Sequence, residues 1–165
     1  MIEIINNLFV GNDYDCSIVA SDFAIIHACK TCHQKGIGYR GSLPSSHPNY
    51  LIFEQKNHLY LNMVDMEQEL LPRLTHPIMN RAILFIEKNI TKRPVLIHCN
   101  QGYSRSPSIG LVYLARENKI NSNSYPNARN DFISIYPDYL PGQGIELYLM
   151  NNWEHLMSGE LRVEI

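Results

Sequence analysis

The segment His98-Cys99-Asn100-Gln101-Gly102-Tyr103-Ser104-Arg105-Ser106 brings a thiol, a guanidinium and a hydroxyl together within nine residues. A thiolate is a strong nucleophile, and Arg105 presents a planar fork that matches two oxygens of a tetrahedral phosphate. The hydroxyl of Ser106 is close enough in sequence to stabilise the thiolate of Cys99 when it becomes a leaving group. This pattern predicts nucleophilic attack by Cys99 on a phosphate ester, with Arg105 holding the phosphate and its transition state.

The elements predicted around this segment are of the kind that bind anions. Val95-Leu96-Ile97 is a continuous apolar run, which predicts a buried central strand, and a helix is predicted from Ser106 to about Asn118. Ligands of open α/β sheets bind at the carboxyl ends of strands, and the first N–H groups of a helix attract anions. Gly102 allows the connecting loop to turn its N–H groups inward, where they would also stabilise the thiolate. The predicted phosphate-binding loop comprises Asn100, Gln101, Gly102, Tyr103, Ser104 and Arg105.

Strands and helices alternate along the rest of the chain. Strands are predicted at Ile4–Val10, followed by a turn at Gly11-Asn12-Asp13, and at Asp22–His27 and His58–Val64. Gln34–Asn49 carries three glycines and two prolines and is predicted to be a loop. The predicted helices are Ile78–Ile90, Ser124–Ile135 and Gly144–Met157. The order predicts an α/β fold, with a central, mostly parallel sheet flanked by helices on both sides, and residues 1–165 as a single catalytic domain.

The pattern from His98 to Ser106 resembles the HCxxGxxRS signature of the protein tyrosine phosphatase superfamily, and Tyr-Ser-Arg-Ser-Pro is similar to its dual-specificity branch. The resemblance continues at Ile4–Gly11, Tyr60–Asp65 and Tyr136–Gly144, and it is weakest from Gln34 to Glu54. It implies a cysteine-phosphatase-like fold and hydrolysis of phosphomonoesters through a thiophosphoryl-enzyme intermediate. It also implies that His98 supports the loop and helps to set the thiolate. No metal or organic cofactor is implied, because Arg105 and the N–H groups neutralise the charge of the phosphate.

The resemblance further implies a general acid on a loop some thirty-odd residues before the cysteine. Asp65 lies 34 positions before Cys99, follows a predicted strand and is the candidate. It would protonate the departing oxygen and then activate water against the intermediate. Glu67 and Glu69 are the alternatives, because the loop is longer here than is usual in the family. The Asn that the family often carries before its last helix is absent, so Gln143 or a backbone group is expected to bind the phosphate loop.

The resemblance implies phosphotyrosine together with phosphoserine or phosphothreonine in proteins as substrate, in a shallow pocket. Phosphoinositides are disfavoured because no lysine lies between Cys99 and Arg105, and the Asn-Arg-Thr variant of RNA 5′-phosphatases is absent. Two alternatives to a protein phosphatase stay open. One is a pseudophosphatase that binds phosphate without turnover, and the other is a phosphatase of RNA, phosphoinositide or phosphoglycan.

Composition and the N-terminal sequence indicate the partners and the cellular compartment to expect. A net charge of −2 gives no reason to expect a nucleic acid or membrane partner, and no apolar run approaches the ~18 residues of a membrane span. Glu3 stands where a secretory signal would carry basic residues, which favours the cytoplasm. Cys29 and Cys32 suggest zinc or redox chemistry, but their segment lacks a second ligand pair and is predicted not to open a helix. We therefore expect ordinary thiols there; the oligomeric state is not predicted.

Overall fold

The computed structural model describes residues 1–159, so the last six residues of the predicted domain lie outside the described part. The elements, in chain order, are β1 (Ile2–Ile5), β2 (Leu8–Gly11), α1 (Asp13–Ile18), β3 (Ala24–His27), α2 (Lys30–Ile37), β4 (Ile52–Gln55), β5 (His58–Leu61), α3 (Pro72–Asn89), β6 (Val95–His98), α4 (Arg105–Arg116), α5 (Tyr125–Ile135), α6 (Gln143–Asn151) and α7 (Trp153–Met157). None of the helices within residues 1–159 combines the length and apolar character of a membrane span.

The strands form one sheet in the order β1-β2-β6-β3-β5-β4. The inner strands β2, β6, β3 and β5 run parallel, while β1 and β4 each pair antiparallel with their sequence neighbours at the two edges. The prediction of a mostly parallel α/β sheet is confirmed. This order puts β6 at the centre, so the residues that follow its carboxyl end lie between the ends of β2 and β3.

Side chains alternate between the two faces of the sheet, as the pleat of a strand requires. Val95 and Ile97 belong to the main hydrophobic core, against which α3 and α4 pack. Leu96 and His98 are also buried but lie on the opposite face, where α1 and α2 contact the sheet. Both faces are therefore covered, as predicted, and His98 belongs to the face covered by the two short helices.

The single strand predicted at Ile4–Val10 is wrong. The segment is a hairpin of β1 and β2, which turns at Asn7 with φ 66°. Asparagine tolerates this left-handed conformation better than most residues, so the turn needs no glycine. The turn predicted after β2 is instead the start of α1, because Asn12 and Asp15 form a reciprocal capping box.

The loop predicted at Gln34–Asn49 is wrong in its first residues, because α2 continues to Ile37. Gly36 lies inside the helix, where a Cβ would come within 2.9 Å of the Tyr60 ring, so this glycine permits close packing rather than a turn. Gly38 ends the helix with φ 90°, the left-handed conformation typical of a helix C-terminus. The helix begins directly after Cys29, so the prediction that the Cys29–Cys32 pair does not open a helix is also wrong.

Other boundaries differ more modestly. Strand β4 is not predicted from the sequence; it pairs with β5 through a turn at Lys56, whose φ is 55°. Helix α3 begins at Pro72 rather than Ile78, since proline is tolerated in the first turn. The helix predicted at Gly144–Met157 is divided at Asn152, whose φ of −119° is not helical.

Candidate active site

Cys99 follows β6 directly, and residues 99–104 form a loop that ends where α4 begins at Arg105. Gly102 has φ +78°, and a Cβ there would lie 3.0 Å from the carbonyl oxygen of Gly11. Only glycine satisfies both the backbone conformation and the close approach. The loop borders a cavity of about 210 Å³ that is lined by Cys99, Arg105 and Asp65, among others. The predicted nucleophile, phosphate ligand and acid are therefore brought together.

The thiol of Cys99 is 2% exposed and is contacted by the first turn of α4. Its Sγ lies 3.2 Å from the Oγ of Ser106, a fully buried residue. Ser106 Oγ also donates a hydrogen bond to the Gly11 carbonyl oxygen at 3.1 Å. A thiolate at position 99 would accept this same hydroxyl proton, so Ser106 is placed to stabilise it.

The guanidinium of Arg105 is held at three points. Nη1 donates to the Met63 carbonyl oxygen at 3.2 Å, and Nη2 donates to Asn100 Oδ1 at 3.0 Å. Nε lies 2.9 Å from Asp65 Oδ2 in an ion pair. These contacts fix the plane of the guanidinium beside the cavity, which lowers the entropy that phosphate binding would otherwise cost.

Asp65 is fixed by the phosphate loop itself. Its Oδ1 accepts a hydrogen bond from Ser104 Oγ at 2.8 Å, and the Gly142 N–H donates to that same hydroxyl oxygen at 2.9 Å. The Asp65 side chain remains 42% exposed, so it faces the mouth of the cavity. Of the two alternative acids, Glu69 instead accepts hydrogen bonds from Asn151 and Asn152.

The remaining residues of the predicted phosphate loop have different surroundings. The amide Nδ2 of Asn100 donates to Asp13 Oδ2 at 3.0 Å and to Thr31 Oγ1 at 3.1 Å, while its Oδ1 accepts from Arg105. Gln101 and Tyr103 are exposed and line the cavity. The side chain of Asn100 thus ties the loop to α1 and α2, while Gln101 and Tyr103 face the space where substrate would lie.

His98 is fully buried and lies against another histidine. Its Nε2 is 2.7 Å from Nδ1 of His27, and His27 Nε2 is 2.9 Å from Nδ1 of His58. Burial lowers the pKa of His98, and burial together with the neighbouring imidazoles lowers the pKa of His27 to about 2. A neutral His98 brings no positive charge to Cys99. A thiolate there would therefore be stabilised by Arg105 and by the backbone N–H groups of the phosphate loop.

Two tyrosines contact the loop and the first turn of α4, and the sequence carries no signal for this role. Tyr136 Oη donates to the Gly102 carbonyl oxygen at 2.8 Å, and Tyr139 Oη lies 3.1 Å from Ser108 Oγ. Gln143 or a backbone group is predicted to bind the phosphate loop, and here backbone groups do so. The N–H of Leu140 donates to the Tyr103 carbonyl oxygen, and the N–H of Gly142 donates to Ser104 Oγ. The segment before α6 therefore contacts the loop at Gly102, Tyr103 and Ser104.

The family model of the dual specificity phosphatase catalytic domain matches residues 21–129, which include the whole phosphate loop and the loop of Asp65. The chain belongs to the dual-specificity phosphatase family. The resemblance seen in the signature at His98–Ser106 is thus confirmed over most of the sequence.

Two curated relatives of this dual-specificity phosphatase family member carry related names. The chain is 45% identical over 69 residues to the dual specificity protein phosphatase YVH1 of Plasmodium falciparum, a match that covers 41% of the chain and 11% of the relative. It is 32% identical over 155 residues to the tyrosine-protein phosphatase yvh1 of Schizosaccharomyces pombe, covering 92% of the chain and 42% of that protein. The chain therefore spans less than half the length of either relative.

A solved structure supports the fold of this family member independently. The leucine-rich repeat and phosphatase domain protein of Entamoeba histolytica superposes with a TM-score of 0.64 at 21% identity, covering 96% of the chain and 94% of that structure. At this identity the likeness concerns the fold alone, and it supports a cysteine-phosphatase architecture.

Proposed function

We propose that this chain is a cysteine-dependent protein phosphatase that hydrolyses phosphotyrosine and phosphoserine or phosphothreonine through a thiophosphoryl-enzyme intermediate. The observation that carries the proposal is that Cys99, Arg105 and Asp65 line one cavity at the amino end of α4. A nucleophile, an oxyanion ligand and a proton donor around one space are the groups that phosphomonoester hydrolysis needs.

In the first step a phosphate dianion takes the place of Asp65 on the guanidinium of Arg105. The displaced Asp65 carboxyl still lines the cavity, from which it can reach the oxygen of the leaving group. The sulfur of Cys99 attacks phosphorus, the S–P bond forms and the P–O bond to the alcohol or phenol breaks. Asp65 gives its proton to the departing oxygen, and the N–H groups of residues 100–105 stabilise the equatorial oxygens.

In the second step the Asp65 carboxylate accepts a proton from water, which attacks phosphorus and breaks the S–P bond. The leaving group is now the thiolate of Cys99, and Ser106 Oγ lies 3.2 Å from its sulfur. Donation from this hydroxyl stabilises the thiolate as it departs. Inorganic phosphate leaves, and Asp65 returns to Arg105.

The surroundings of the cavity support a protein substrate. The space of about 210 Å³ is rimmed by Tyr103, which is 47% exposed, and by Leu140, which is 69% exposed. Such a rim offers apolar contact to residues that flank a phosphorylated side chain. Residues 100–104 contain no lysine or arginine, so the loop lacks the extra charge that would favour a phosphoinositide.

We place the reaction in the cytoplasm, with no nucleic acid or membrane as partner. All four cysteines are free thiols, which is the state that a reducing compartment maintains. The net charge of −2 provides no general attraction to anionic polymers or surfaces.

The proposal is tested by measuring hydrolysis of para-nitrophenyl phosphate by the wild type, Cys99→Ser and Asp65→Asn, with Glu67→Gln and Glu69→Gln as matched acidic controls. We expect Cys99→Ser to lose turnover, Asp65→Asn to lose most of it, and both glutamate variants to retain it. A wild type that binds phosphopeptides without turnover would instead be a phosphate-binding module. A panel of phosphopeptides, phosphoinositides and 5′-triphosphorylated RNA identifies the substrate class.

A further inference from the structure

Beside the phosphate loop, on the sheet face covered by α1 and α2, four side chains with metal-binding atoms converge. Asp13, Cys29, Cys32 and His98, here called the thiol–imidazole cluster, each place one ligand atom within 4.8 Å of the others. Cys29 and His98 are fully buried, Cys32 is half-buried, and the carboxylate of Asp13 reaches the surface. Hydrolysis at Cys99 does not require these ligand atoms to act on the substrate.

Three elements bring the cluster together. Cys29 caps the start of α2 and Cys32 lies in its first turn, so both thiols belong to the same end of the helix. Asp13 is the first residue of α1, and His98 is the last residue of β6. The sequence around Cys29 lacks the second ligand pair of a zinc site, but the fold supplies it from elements distant along the chain.

A second observation concerns the imidazole of His98. Its Nδ1 is buried, has no hydrogen-bond partner within residues 1–159, and lies 3.3 Å from Asp13 Oδ1 outside hydrogen-bond geometry. Its Nε2 is already engaged by Nδ1 of His27 at 2.7 Å. A lone pair on this buried nitrogen faces the Asp13 carboxylate, an arrangement that is unfavourable unless a cation lies between them.

The groups behind the cluster hold its ligands in place by hydrogen bonds, as neighbouring residues do around metal sites. Ligating histidines are usually oriented by a hydrogen bond to their other ring nitrogen, and His27 and then His58 provide such a chain for His98. Asp13 is held in the same way, since its Oδ2 accepts a hydrogen bond from Asn100 Nδ2 at 3.0 Å. The ligand orientations are therefore fixed before any ion enters.

We propose that Asp13, Cys29, Cys32 and His98 bind one Zn²⁺ ion in a tetrahedral site. Two thiolates, an imidazole and a carboxylate form a donor set suited to zinc, whereas calcium and magnesium take oxygen ligands. All four positions are filled by the protein, which is the pattern of a structural rather than a catalytic zinc. On binding, the ligand atoms draw in to about 2.0–2.3 Å from the ion.

Such an ion would join α1, α2 and the end of β6 at the point where the phosphate loop begins. Asn100 contacts both Asp13 and Thr31 and also accepts a hydrogen bond from Arg105 Nη2, so the site connects to the guanidinium. Zinc therefore stabilises the arrangement of the loop without taking part in phosphate transfer. The site depends on the fold and not on the proposed phosphatase activity.

The experiment uses the whole chain carrying Cys99→Ser, because the thiolate of the phosphate loop could itself bind zinc. Metal is removed with a chelator, and Zn²⁺ is titrated against a competing metal indicator, followed by thermal unfolding. We expect one zinc per chain with a dissociation constant below about 1 µM. We also expect a rise in Tm of about 5 °C or more under saturating zinc.

The matched variants are Cys99→Ser combined with Cys32→Ser, with Cys29→Ser, or with Cys16→Ser. The first two are expected to weaken zinc binding at least about 100-fold and to lose the rise in Tm, while Cys16→Ser keeps both. Titration with Co²⁺ reports the ligands directly, since thiolate-to-cobalt charge-transfer absorption should fall with each cluster thiol removed. Circular dichroism of the metal-free variants establishes that each has folded.

Two results would overturn the zinc site. One is the absence of stoichiometric zinc binding by the Cys99→Ser chain. The other is binding that survives removal of Cys29 or Cys32 in a folded variant. Either result leaves the phosphatase proposal intact, because para-nitrophenyl phosphate hydrolysis by the wild type is measured separately.

Discussion

Asp65 Oδ2 lies 2.9 Å from Nε of Arg105, so the proposed acid and the proposed phosphate ligand are paired with each other. The pair does more than neutralise a buried guanidinium. It also holds Asp65 beside the cavity that Cys99 lines. A phosphate dianion and the Asp65 carboxylate compete for the same donor, and this competition links substrate binding to the acid step.

The first prediction concerns this competition. Asp65→Asn removes the proton donor and the negative charge, so we expect kcat for an aryl phosphate to fall about 10²–10⁴-fold. Because the competing carboxylate is gone, tungstate should bind at least as tightly as it does to the wild type. Steady-state kinetics and tungstate inhibition measure the two effects. Weaker tungstate binding in Asp65→Asn would contradict the competition.

The second prediction concerns the hydroxyl beside the sulfur. Ser106→Ala removes the only side-chain hydrogen bond that Cys99 Sγ makes within residues 1–159, so departure of the thiolate in the second step should slow. A hydrogen bond to a charged group is worth about 1.5–3 kcal/mol, which corresponds to roughly 10–100-fold in rate. Rapid-quench kinetics should show a burst of phenol followed by slow turnover. Ser108→Ala, whose hydroxyl contacts Ser104 and Tyr139, is the control that should show no burst.

The third prediction separates backbone strain from close packing in the phosphate loop. Gly102→Ala places a Cβ on a residue with φ +78° and against the Gly11 carbonyl oxygen. We expect the free energy of unfolding to fall by about 1–3 kcal/mol and phosphatase activity to be lost. Gly41 has φ +73°, but a methyl group added there would have no atom within 4 Å, so Gly41→Ala should share the strain and retain activity. Thermal unfolding and aryl phosphate hydrolysis compare the two. Equal activity in both variants would contradict the role of Gly102.

The fourth prediction concerns the dependence of stability on pH. Burial and the nearby His155 lower the pKa of His76, whose Nδ1 lies 2.6 Å from Tyr148 Oη. Below the ordinary histidine pKa of about 6.5 the unfolded chain binds a proton here more readily than the folded chain, so acidification destabilises the fold. His76→Gln should therefore reduce the drop in Tm between about pH 7.5 and pH 5.5. An unchanged or larger drop in the variant would show that His76 does not contribute.

Much of the site was predictable because its signals are local. A continuous apolar run, then a cysteine, then a glycine and an arginine at fixed offsets predict a strand, a loop and a helix, and the structure places them so. The signature residues Cys99, Arg105 and Ser106 all lie where the pattern indicates. The sequence favours Asp65 over Glu67 and Glu69 by its spacing from Cys99, but its contacts with Arg105 and Ser104 join residues about 40 positions apart and are seen only in the structure.

What the sequence did not predict depends on contacts between distant residues. Nothing around Tyr136 indicates that its hydroxyl bonds the carbonyl of Gly102, 34 positions earlier. The signals at Gly11-Asn12-Asp13 fit a turn and a helix start equally, and only the reciprocal bonds of Asn12 and Asp15 distinguish them. Likewise, Asp13 and His98 lie beside Cys29 and Cys32 only because the fold places α1 and β6 next to the start of α2.

Covalent catalysis by Cys99 is tested most directly by trapping the phosphorylated enzyme. The wild type is mixed with excess para-nitrophenyl phosphate and quenched with acid at early times, and its peptides are examined by mass spectrometry. We expect a phosphoryl group on the sulfur of Cys99, at higher occupancy in Ser106→Ala and absent in Cys99→Ser. Hydrolysis that proceeds at the wild-type rate in Cys99→Ser, or phosphate trapped on another residue, would contradict covalent catalysis by this thiol.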